Sequence, residues 1–138
     1  MASIIDYGST FLTVDGPVLA VGVGQGITTT SVFLDPANPA TYRSRVELKA
    51  SFGVDSFSFT DDIRVDIYRG ATKVYSSPLN RFFDPGNNLQ IVNVLAVDGG
   101  LPGTQIYTLG VLFANSNNAG SLIQIKGPIT FTATAIGL

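Results

Sequence analysis

The octapeptide Arg45-Val46-Glu47-Leu48-Lys49-Ala50-Ser51-Phe52 alternates without a break, apolar at even positions and polar or charged at odd ones. A period of two puts Val46, Leu48, Ala50 and Phe52 on one face of a β-strand and leaves the other face wet. The same pattern returns in Ile63-Arg64-Val65-Asp66-Ile67-Tyr68-Arg69, now with the odd positions inward. Gly70-Ala71 then supplies a tight turn into Lys73-Val74-Tyr75, so a hairpin is expected here. Further strands are predicted at 10–14, 18–23, 28–34, 89–97, 105–114, 122–126 and 129–136. Turn chemistry separates them at Asp15-Gly16-Pro17, Asp35-Pro36 to Pro39, Asp84 to Asn88, Asp98-Gly99-Gly100 and Asn115 to Gly120.

Composition agrees with an all-β reading. Val, Ile and Thr account for 37 of 138 residues, and their branched Cβ atoms suit a pleated surface better than a helix. No stretch sustains an i, i+3, i+4, i+7 apolar spacing, and no repeat of fixed period suggests a solenoid or propeller. So many short strands in one domain's length must close into two sheets or a barrel, because one open sheet cannot cover its own apolar face. The expected fold is an all-β jelly roll or related Greek-key β-sandwich of about 8–10 short antiparallel strands. Residues 1–12 read as an N-terminal arm and 13–138 as the sandwich domain.

Missing residue types remove many functions. The chain has no His, Cys or Trp, which excludes disulfides, thiolate or imidazole metal ligands, His-based triads and Cys nucleophiles. With eight Lys plus Arg and a net charge of −2, it lacks the basic footprint that nucleic-acid binding requires. No apolar run reaches the about 18 residues of a membrane span. Met1 to Tyr7 has no basic n-region, which implies cytoplasmic synthesis without a signal peptide and leaves cell lysis as the route to an extracellular destination. No catalytic residue, cofactor or metal is expected. Gly22-Val23-Gly24-Gln25-Gly26 lacks the spacing and following helix of a phosphate loop, and reads instead as a bulge or a close approach of backbones. Asp61-Asp62, Asp55, Asp84 and Asp98 form no spaced calcium loop. Glu47, the one Glu, alternates outward, so paired-carboxylate glycoside chemistry has no support. Phe52, Phe57, Phe59, Phe82 and Phe83 read as core or interface anchors.

The placement of charge is more telling than its amount. Thirteen of the eighteen charged residues lie between Arg43 and Asp84, and only Asp98 and Lys126 follow. The middle is therefore expected to face solvent. The strands at 89–97 and 105–113 are apolar on both faces, which fits either a strand buried on both sides or one face on the core and the other on a partner. Ile4, Ile5, Tyr7, Phe11 and Leu12, with Gly8-Ser9 as a joint, form an apolar segment that could add to a neighbour's sheet edge or serve as the molecule's own first edge strand. The expected subunit-contact residues are Ile4, Ile5, Tyr7, Phe11, Leu12, Ile106, Thr108 and Leu112, and the expected partners are copies of the chain itself.

The segments Pro102-Gly103-Thr104-Gln105-Ile106-Tyr107-Thr108-Leu109-Gly110-Val111 and Gly127-Pro128-Ile129-Thr130-Phe131-Thr132-Ala133-Thr134-Ala135 resemble small jelly-roll proteins of the spore surface in the Bacillus group. These include self-assembling subunits of endospore appendages and trimeric, tumour-necrosis-factor-like domains of exosporium filaments. The resemblance implies a non-enzymatic structural subunit of an extracellular fibre or surface layer. It departs in one respect: disulfide-linked appendage subunits carry connector cysteines, and Met1 to Leu12 has none, so contacts must be non-covalent. A viral or phage capsid or tail-fibre protein shares the same physics. A carbohydrate-binding module is a third class, weakened by the absence of Trp.

Overall fold

The computed structural model describes residues 2–56, 61–81 and 89–138. Phe57, Phe59, Phe82, Phe83 and the turn expected from Asp84 to Asn88 lie outside the described residues. Among the described residues ten strands follow one another: β1 (Ser3–Leu12), β2 (Val18–Ala20), β3 (Gly24–Leu34), β4 (Ser44–Ser56), β5 (Asp62–Arg69), β6 (Thr72–Ser76), β7 (Asn80–Arg81), β8 (Leu89–Gly99), β9 (Gly103–Asn115) and β10 (Leu122–Gly137). A short 3-10 turn, Pro39–Arg43, precedes β4, with Asn38 accepting a hydrogen bond from the Ala40 amide at its start.

Two antiparallel sheets result. Sheet A runs β1-β10-β4-β8 with β2 also on β10, and sheet B runs β3-β9-β5-β6 with β7 also on β5. With the short β2 and β7 set aside, successive strands alternate between the two sheets except at the β5–β6 hairpin, which lies wholly in sheet B; this is the order of a jelly roll, and the first and last strands pair. The alternation at 45–52 does what its period dictates: Val46, Leu48, Ala50, Phe52 and Val54 enter the core; β8 opposes all five, and β10 opposes all but Phe52, which falls at a break in its register. Ile63, Val65 and Ile67 face them from β5, with Tyr107, Leu109, Val111 and Phe113 from β9. Sheet-on-sheet burial of such side chains contributes about 1.5–3 kcal/mol each.

Three expectations are corrected by tertiary structure. The strands read as 122–126 and 129–136 are one strand, β10, with an irregularity between Lys126 and Thr130; the Gly127-Pro128 bond there is cis. Asp15 accepts from the Gly127 amide and pairs with Lys126, each at 3.0 Å, which anchors the chain across the break. Gly8 is no joint. It lies mid-strand in β1, where a Cβ would overlap the carbonyl oxygen of Ser31, so glycine is what lets the edges of sheets A and B meet. Residues 3–12 are accordingly the sandwich's own edge strand rather than a segment apart from residues 13–138: β1 pairs with β10 from Ser3↔Gly137 to Leu12↔Ile129. The Thr10 hydroxyl donates to the Thr29 carbonyl (2.6 Å), and Asp6 accepts from the Phe33 amide (2.6 Å), closing this side of the sandwich.

The charged middle is only partly solvent-facing. Arg45, Glu47 and Lys49 point outward on β4, but Asp61, Asp62 and Asp66 are buried. Asp61 accepts from the Ser121 hydroxyl (2.9 Å), and Asp66 from Arg64 and Ser76, so burial does not strand their charge without partners.

Candidate functional site

Outward side chains define three surfaces. On sheet A, β1 presents Ile4, Tyr7 and Phe11, and β8 presents Ile91, Leu95 and Val97, each more than half exposed. Between these apolar margins run Thr130, Thr132 and Thr134 of β10 and Arg45, Glu47, Lys49 and Ser51 of β4. The face is thus two apolar edges around a hydroxyl-rich and charged centre, and scattered single hydrophobics would not form such rows. The strand at 89–97 is therefore not buried on both sides. Val92, Val94 and Ala96 face the core, and the opposite row meets solvent.

On sheet B, a trough of about 500 Å³ is lined by Gly24, Gly26, Gly110, Thr108, Leu112, Arg64, Asp66 and Tyr68, among others. Register explains it: Gly26 is opposite Gly110, which is opposite Asp66. A Cβ on Gly110 would find its nearest neighbour at 3.5 Å, in ordinary contact, and none of these three glycines needs a positive φ. Here glycine keeps the surface hollow, whereas at Gly8 it is sterically required. A bulge between Gly26 and Thr28 lies where the glycine run was expected to mark one. The third surface is a polar hollow at the seam of β1 and β3, lined by Tyr7 and Ile106 with Gly8, Ser9, Thr10, Thr29, Thr30 and Ser31.

The expected contact residues are distributed accordingly. Tyr7 and Ile106 share the seam hollow, Thr108 and Leu112 line the trough, and Ile4 and Phe11 stand on the outer face of sheet A. Ile5 and Leu12 pack against the monomer's core, so their apolar area serves the fold first. A register shift between Ile4 and Asp6 accompanies the inward turn of Ile5. Sequence reasoning missed the outward row of β8 as individual residues, although its alternation, Ile91, Asn93, Leu95, Val97, was visible.

Electrostatics stiffen the trough wall. Arg64 donates to both Asp66 oxygens, Nε to Oδ1 at 3.0 Å and Nη2 to Oδ2 at 2.9 Å, and the Ser76 hydroxyl donates to Oδ1 at 2.6 Å. Lys73 stands 4.0 Å from the carboxylate and 5.9 Å from the centre of the Tyr68 ring. Burial disfavours the Asp66 charge, but the Arg64 and Ser76 hydrogen bonds and the charges of Arg64 and Lys73 outweigh it and hold the carboxyl below its ordinary range. A carboxylate depressed in the folded state stabilises above its unfolded pKa of about 3.9 and loses that contribution as pH falls through the lower folded value. Urea unfolding at pH 7 and at about pH 3 should therefore show an acid loss that Asp66→Asn reduces, with the variant already less stable at pH 7.

No protein-family model matches the chain, and no curated protein matches it. Solved structures do share its architecture. Murine APRIL is similar at 11% identity and a TM-score of 0.51, over 96% of this chain and 98% of that one. The VP2 subviral particle of infectious bursal disease virus is similar at 10% identity and a TM-score of 0.50, over 99% of this chain and 41% of that chain. A structure of Bacillus endospore appendages, described as disulfide-linked pili, overlaps 99% of this chain and 89% of its own at 13% identity and a TM-score of 0.37, too loose an overlap to carry an argument. At such identities the likeness is one of fold: the chain is a jelly-roll β-sandwich. No helix among the described residues is long and apolar enough to cross a membrane.

Proposed function

We propose that this chain is a non-enzymatic structural subunit that associates with copies of itself into an extracellular fibre or surface layer of the spore-appendage or exosporium kind. One observation carries the reading: the outer face of sheet A bears apolar rows on both of its edge strands, Ile4, Tyr7 and Phe11 on one side and Ile91, Leu95 and Val97 on the other. A subunit with a contact row at each edge can be joined on both sides, which is the minimum for a chain of subunits. With no cysteine in the sequence, the joints would be non-covalent, and β1's outward row is the part of the N-terminal segment free to make them. A capsid or tail-fibre subunit of a virus or phage would use the same surfaces. A carbohydrate-binding module draws support from the trough, where Tyr68 offers a ring beside the Arg64–Asp66 pair, but one ring is a small platform beside two apolar rows.

Sedimentation velocity with negative-stain microscopy tests the proposal. Self-association that grows with concentration is expected, with fibres in the appendage context and closed shells in the virion context. Replacing Ile4, Tyr7 and Phe11 together by Ser should leave a folded protein of much lower order. A strictly monodisperse monomer at high concentration would overturn self-association.

A further inference from the structure

β8 is the edge of sheet A: it pairs with β4 on one side, and no strand among the described residues pairs with the other. Natural edge strands are guarded by charge, proline, bulges or short length. β8 has none of these from residue 89 to 97: it is eleven residues long, keeps unbroken register with β4, and carries neither charge nor proline in Leu89-Gln90-Ile91-Val92-Asn93-Val94-Leu95-Ala96-Val97. The one charge in β8, Asp98 near its end, is engaged by Arg69 and Tyr107.

The order of side chains is also symmetric. Outward residues read apolar, apolar, Asn, apolar, apolar in both directions about Asn93, and Val92 and Val94 flank it inward. We propose that β8 pairs antiparallel with β8 of a second copy about a two-fold axis at Asn93, fusing two copies of sheet A into one continuous sheet. In that register Asn93 meets its own copy, Ile91 meets Leu95 and Val92 meets Val94. Moving the axis to Val92 or Val94 would set Asn93 against Ile91 or Leu95. A half-step would set outward residues against inward ones, which the two-residue period forbids. Self-pairing also brings no like charges together, a condition that a charged edge could not meet. This is an isologous contact, the same surface on both copies.

The inference rests on the self-association reading and specifies one of its joints. A single strand pair buries less than the roughly 1,200–2,000 Å² of a standard stable interface, so it is concentration-dependent alone and gains strength from contacts at the opposite edge, β1.

The absence of native cysteine makes the test clean. Antiparallel partners lie about 4.5–5.5 Å apart at Cα, within the range a disulfide spans, so Asn93→Cys should form a covalent dimer on oxidation. Thr132→Cys, at the centre of the same face, should not. Ile91→Cys and Leu95→Cys should cross-link to each other when mixed, and neither efficiently to itself. Leu95→Lys should weaken association about tenfold or more while leaving the fold intact, since Leu95 is outward. Cross-linking of Asn93→Cys no faster than Thr132→Cys would overturn the pairing. If the unmodified protein still sediments as oligomers, self-association survives and only this joint fails; if it is monomeric throughout, both fail.

Discussion

Gly8→Ala is expected to cost about 3 kcal/mol or more, lowering the melting temperature by roughly 10 °C in a domain of this size. The reason is local and steric. The added Cβ would overlap the Ser31 carbonyl oxygen, and the Ser31 carbonyl carbon and Thr30 hydroxyl would each lie 3.0 Å away. Two of those three atoms are backbone of β3, which β9 holds in register from Thr28 to Leu34, so they have no easy retreat. Relief must come from β1 moving off β3, which would cost the Thr10–Thr29 and Asp6–Phe33 hydrogen bonds as well. Gly99→Ala is the matched control: a Cβ there meets nothing within 4 Å and the backbone is not in the left-handed region, so its effect should stay within about 0.5 kcal/mol. Equal melting temperatures for the two variants would show that β1 does not dock against β3.

Asp98→Ala is the second large effect, expected at about 2–4 kcal/mol by chemical denaturation. From the end of β8, the Asp98 carboxylate receives two donors from sheet B, the Arg69 guanidinium and the Tyr107 hydroxyl, the latter at 2.9 Å. Tyr107 is fully buried. Burial first, then the hydrogen bond and charge of Asp98, push its hydroxyl well above the ordinary tyrosine range, so it remains a protonated donor. Removing the carboxylate strands both donors. Tyr107→Phe removes one donor and leaves the ion pair, so about 1–2 kcal/mol is expected. A Tyr107→Phe loss equal to that of Asp98→Ala would mean the cluster is not organised around the carboxylate.

Much of the sandwich was legible in side-chain order. Val46, Leu48, Ala50 and Phe52 defined β4, and Gly70 marked the β5–β6 turn, where its φ is +56°. What the sequence did not disclose depends on partners distant in the chain. Whether residues 3–12 formed an arm or an edge strand turned on β10, more than a hundred residues away, and the purpose of Gly8 turned on Ser31. The hollow of Gly24, Gly26 and Gly110 exists only once register sets them side by side. Burial of Asp66 had a signal that went unread: Arg64 and Asp66, two residues apart, share one strand face, where opposite charges satisfy each other.

The place of β10 in sheet A also governs when the molecule can exist at all. The strand that joins β1 to β4 follows every other described strand of the sandwich in the chain, so sheet A stays in separate pieces until β10 is in place. Closure of nearly the whole chain is then the slow event, as in other β-sandwiches that fold over roughly milliseconds to seconds. A chain whose β10 has not yet paired therefore lacks the completed outer face through which, on the reading proposed above, it would join its neighbours.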